Sequence, residues 1–91
     1  MMTFVEMMKD FKFKVNYAAG MNYLWEGIKT SLRGRLSGDF FTDWAAEISA
    51  KHYAELAAPL LNLTQDEAWR VIDRTAEVRV QEGRTHLDGV A

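Results

Sequence analysis

The chain has 91 residues, no cysteine and a formal net charge of −2, and 48% of it is hydrophobic, with three Trp, five Phe and three Tyr. This length sets an expectation of one domain spanning 1–91, the composition excludes a disordered polymer, and the missing cysteines exclude disulfides and thiolate metal sites. His52 and His86 stand too far apart in sequence to suggest a metal site. A domain this small buries a modest share of its surface, so it needs either a well-packed core or a partner.

The charge is uneven. Residues 1–38 carry six Lys and Arg against three acids, and residues 39–91 carry five against ten. That asymmetry suits self-association or a partner that reads one face. The opening residues MMTFVEMMKD lack a basic leader and Glu6 interrupts their apolar run, so no signal peptide is expected. No window reaches the roughly 18 apolar residues of a membrane span. The expected location is therefore the cytoplasm.

Thr3 and Glu6 have the spacing of a capping box, which predicts a helical turn over 3–10. In residues 11–17, FKFKVNY, Phe11, Phe13, Val15 and Tyr17 alternate with polar residues, the period of a strand. The same residues also continue a helical stripe of Phe4, Met8, Phe11, Val15 and Ala18, and a lone strand cannot pair its backbone. Helix is the favoured reading, with extended structure as the alternative. Residues 17–36 read as a helix with Tyr17, Met21, Leu24, Ile28 and Leu32 on one face. Gly20, Gly27 and Gly34 recur every seven residues beside it. Each glycine costs a helix about 1 kcal/mol relative to alanine, so this spacing predicts a smooth seam for another helix, from the same chain or a second copy. Ser37-Gly38-Asp39 marks a turn.

Residues 42–58 form the strongest helical segment, with alanine at 45, 46, 50, 54, 57 and 58 and with Asp39 and Thr42 as possible caps. Trp44, Ile48, His52 and Leu56 recur every four residues and read as its apolar stripe, with His52 partly buried among them. Pro59 predicts an end or kink near Ala57. Thr64 and Glu67 form a second capping box that opens a helix over about 65–82. Its inward side is read as Ala68, Val71, Ile72, Thr75 and Val78, with Trp69 and Ala76 alongside. The tail 84–91 is expected to be mobile or to order on a partner.

No residue constellation carries chemistry. There is no Gly-x-Ser-x-Gly and no strand-borne glycine loop for phosphate, and the carboxylates lie on charged faces. Neither an enzyme nor a bound cofactor is expected. The stretch 54–72, AELAAPLLNLTQDEAWRVI, resembles a helix-turn-helix in the placing of Ala58, Leu61, Leu63, Ala68 and Val71, with Asn62 where a turn glycine is common. That resemblance implies a DNA-binding regulator as the alternative function. Against it, Pro59 sits in the first helix and Asp66 and Glu67 occupy the end that would meet phosphate. A third class is a membrane-surface segment over 4–17, aromatic and Met-rich with Lys9, Lys12 and Lys14.

The expected architecture is all-α, three principal helices with an N-terminal segment packed across them. The expected function is a small regulatory, inhibitory or accessory protein working by protein–protein contact, and the expected partners are another protein or a second copy in a homodimer. Exposed aromatic residues, Met and Arg dominate such surfaces. The expected partner-facing residues are Phe4, Met8, Phe11, Phe13 and Tyr17, with Trp25 and Arg35 as secondary contacts.

Overall fold

In the computed structural model, which describes residues 3–83, three helices follow one another: α1 over Phe4–Leu36, α2 over Phe40–Leu60 and α3 over Gln65–Gly83. The described residues contain no strand, so the fold is the expected small all-α bundle. The tail 84–91 lies outside the described residues.

The helix starts are set by side chains. Thr3 Oγ1 accepts from the Glu6 N–H at 3.2 Å and the Glu6 carboxylate accepts from the Thr3 N–H at 3.2 Å, closing the box at α1. Thr64 and Glu67 repeat this at α3, at 3.0 and 3.1 Å. Asp39, rather than Thr42, caps α2; its carboxylate accepts from the Thr42 N–H at 3.1 Å and the Thr42 hydroxyl at 2.6 Å.

These caps make stability depend on pH. Hydrogen bonds from the Thr64 backbone and hydroxyl hold the Glu67 carboxyl below its ordinary value of 4.5. The Thr42 hydroxyl and N–H do the same for Asp39. A carboxylate whose folded pKa is depressed stabilises the fold above its unfolded pKa, and that contribution fades as pH falls through the folded value. The thermal midpoint of the wild type should therefore drop below about pH 4.5. Glu67→Gln should flatten part of that drop, as read by circular dichroism melts across pH, while an unchanged slope would count against the cap's role.

Three boundaries differ from the sequence reading. No break separates residues 3–16 from 17–36: α1 is one helix of 33 residues. α2 starts two residues before 42 and runs through Pro59 to Leu60. Proline at 59 costs α2 the bond that an N–H there would donate to the Glu55 carbonyl, and the helix ends one residue later, at Leu60. The turn to α3 then closes with Asn62 at φ 55°, a left-handed conformation that asparagine tolerates better than most residues.

The packing follows from the small residues. α1 and α2 run antiparallel, and the glycine seam of α1 faces the rest of its own chain. A Cβ at Gly20 would stand 2.6 Å from Leu61 Cγ, and one at Gly27 would stand 2.6 Å from Ile72 Cδ1 and 3.2 Å from Tyr53 Cβ. One at Gly34 would overlap the Cβ of Ala46. The close approach of the helices therefore requires glycine at these points. The core comprises Leu24, Ile28 and Leu32 of α1, Ala50, Ala54, Ala57 and Ala58 of α2, and Ala68, Ile72 and Ala76 of α3. Tyr23, Leu61, Leu63, Trp69 and Val80 pack around it. Arg35 joins α1 to α3 through an ion pair with Asp73, and its Nε donates to the buried Ser31 hydroxyl at 3.1 Å.

The N-terminal segment does not pack across the bundle. At 1.5 Å per residue α1 is about 50 Å long, and the molecule measures 54 × 24 × 16 Å. Its second half is the part covered by α2 and α3, while every residue from Thr3 to Val15 is exposed. The first half projects from the bundle as an arm.

Candidate interaction surfaces

The large apolar side chains lie mainly outside. None of the five phenylalanines is buried: Phe4, Phe11, Phe13, Phe40 and Phe41 are between 64% and 77% exposed. A core made mostly of alanine lets the helices come close but leaves no room for rings. The exposed groups gather on two surfaces.

The first surface is the α1 arm. Phe4, Val5, Met8, Phe11 and Val15 line a shallow apolar groove along one side, with Lys9 and Lys12 at its rim. The expected patch of Phe4, Met8, Phe11, Phe13 and Tyr17 is thereby divided. At 100° per residue Phe13 stands about 200° from Phe11. Phe13 instead stacks on Tyr17, ring centroids 6.4 Å apart, on the opposite side of the helix. Trp25 is 42% exposed and the Arg79 guanidinium lies 4.8 Å from its ring centroid, a cation–π contact that ties α3 to α1. Arg35, half-buried and engaged by Asp73 and Ser31, is part of the bundle's internal bracing.

The second surface is the outer face of α2, which the sequence reading took for its inner stripe. Phe41, Trp44, Ile48 and Leu56 are all exposed, Trp44 by 56% and Ile48 by 51%. His52 is exposed with them, its Nδ1 3.6 Å from the Glu55 carboxylate. The alanine face, about 180° away, is the buried one. A signal for this was present in the sequence. Glycines spaced by seven on α1 mark a close helix approach, and Ala50, Ala54, Ala57 and Ala58 are the side of α2 small enough to meet one, which turns Trp44 and Ile48 outward. Along one side of this face run Asp43, Glu47, Lys51 and Glu55, with Lys51 3.9 Å from Glu47. α3 shows a lesser version of the same inversion: Ala68, Ile72 and Ala76 are buried, whereas Val71 and Val78 are exposed by 42% and 49%.

Among the described residues no three His, Asp or Glu cluster as a metal site, and no helix is long and apolar enough to cross a membrane. At the start of α3, Asp66 and Glu67 give the end that would approach DNA a negative charge, with Arg70 and Arg74 exposed further along. The chain matches no family model, and no curated protein or solved structure is significantly similar to it.

Proposed function

We propose that this protein works by protein–protein contact, as a small regulatory or accessory subunit, and that the α1 arm and the outer face of α2 are its contact surfaces. The observation that supports this reading is the inversion of α2. A helix that buries alanine on its own chain and turns Phe41, Trp44 and Ile48 outward has a second apolar face to cover. Monomeric proteins seldom expose apolar patches larger than a few hundred Å² unless they bind something. Aromatic groups on such a patch supply most of the contact energy of interfaces.

The test is the double variant Trp44→Lys, Ile48→Lys. Both side chains lie outside the core, so its thermal midpoint should stay close to that of the wild type, since surface changes usually fall within about 0.5 kcal/mol. Capture of a partner from lysate should be lost. Unfolding of the double variant would make this face core, and unchanged capture would remove α2 from the contact surface.

A further inference from the structure

The exposed side of α1 has a regular period. Phe4, Met8, Phe11 and Val15 follow one another at steps of four, three and four residues, and Ala18, Asn22 and Trp25 continue at three, four and three. This is the a/d pattern of a coiled coil, sustained for three heptads. Every one of these residues is exposed. The glycines at 20 and 27 stand at the f positions, diametrically opposite, and it is there that α2 and α3 attach. The bundle is therefore mounted mainly on the back of α1, and a second helix can approach the a/d side from Phe4 to Asn22 without meeting it; at Trp25 it meets Arg79 of α3, 4.8 Å from the ring centroid. The seam stops after Trp25: the next a residue is the charged Lys29, and the next d residue, Leu32, is buried in the bundle.

Resting on the protein-contact reading, we infer that the occupant of this seam is a second copy of the chain, with the two α1 helices parallel and in register from Phe4 to Trp25. Three observations select that occupant. Asn22 is the one polar residue at an a or d position between Phe4 and Trp25. In a parallel pair it faces its own copy and the two amides can hydrogen-bond, the device that fixes register in two-stranded coils. An antiparallel pair would set it against Phe4 or Phe11 of the other helix and leave the amide unpartnered.

The flanking charges point the same way. In the parallel register g faces e of the next heptad on the partner, so Met7 meets Lys12, Lys14 meets Ala19 and Met21 meets Glu26, with no like charges opposed. Lys14 is already paired with Asp10 of its own helix at 3.1 Å. The antiparallel register that sets Phe11 against Val15 would bring Lys12 to Lys12 and Lys14 to Lys14 across the axis. The area is also adequate. Large side chains of about 200 Å² each, at exposures of 42% to 76% along the seam, offer on the order of 800 Å² per copy when the flanking Met7 and Met21 are included, the size of a specific interface.

The absence of cysteine permits a direct test on the full chain. Met8→Cys places one thiol at an a position near the end of the seam. In the parallel register the two thiols are neighbours, and mild oxidation should convert nearly all of the protein to a disulfide-linked dimer. Light scattering of the wild type should show twice the 10.4 kDa chain mass. In an antiparallel pair the two thiols would lie at least about 15 Å apart. Met8→Cys would then fail to cross-link with itself but would cross-link with Ala18→Cys or Trp25→Cys in a mixture, which would overturn the register. A wild type that stays monomeric at micromolar concentration would overturn self-association altogether, whether the face is then found on another protein or on anionic phosphatidylserine vesicles. The broader protein-contact reading is judged separately by the Trp44→Lys, Ile48→Lys capture, so failure of one is distinguishable from failure of the other.

Discussion

Ile72→Ala should destabilise the fold by about 3–5 kcal/mol, the upper part of the range for truncating a buried isoleucine. Ile72 is the largest fully buried side chain among the described residues. Its Cδ1 lies 2.6 Å from where a Cβ at Gly27 would stand, and glycine supplies no side chain that could swing into the vacated space. Its other core neighbours are largely alanines, which cannot extend either. The cavity therefore stays open, and its cost adds to the lost transfer energy. Domains of this size hold total stabilities on the order of 5–15 kcal/mol, so the variant should be close to unfolded at physiological temperature. Urea titrations at one fixed protein concentration would measure the change, with the slope unchanged if the same surface is exposed. A loss under about 1 kcal/mol would mean that Ile72 is not a central core residue.

The same side chain shows which features were legible in the sequence. The three helices, the two capping boxes and the Ser37-Gly38-Asp39 turn were readable because each depends on neighbours a few residues apart. The glycine seam was readable as a close approach, and its ambiguity between own chain and second copy is resolved in favour of the chain itself: Ile72, Ala46 and Leu61 fill it. The facing of α2 was harder to read. Periodicity shows that Trp44, Ile48, His52 and Leu56 share a side, but it does not say which side is inward. That choice is set by the neighbouring helices: Gly34 brings Ala46 against α1, while Gly20 and Gly27 receive Leu61 and Ile72, and the small Ala50, Ala54, Ala57 and Ala58 let the helices close on one another. The continuity of α1 was legible only in the favoured helical reading of 11–17, whose stripe from Phe4 to Ala18 leads into the next segment. Alternation in FKFKVNY mimics a strand, and the helix through it is anchored from both ends, by the Thr3 cap and by the buried half beyond Gly20.

The division of the arm into two sides predicts opposite outcomes for two neighbouring phenylalanines. Phe11→Asp should raise the dissociation constant of the parallel pair by at least about 100-fold, roughly 3 kcal/mol. It removes a ring from a d layer, and it brings two carboxylates, one from each copy, into a contact that excludes water, where an unpaired charge is costly. Phe13→Asp should leave the dissociation constant within about threefold, below 1 kcal/mol. Phe13 stands at an f position beside Tyr17, away from the seam, and its replacement would have Lys9 four residues earlier as a helical partner. Sedimentation equilibrium of both variants, with helicity checked by circular dichroism, separates the cases. If Phe13→Asp dissociates the pair and Phe11→Asp does not, the contact lies on the Phe13–Tyr17 side and the heptad seam is not the interface. If both dissociate it with helicity intact, the arm is gripped on two sides, which a two-stranded coil does not do. Only the split outcome is compatible with a single seam running from Phe4 to Trp25.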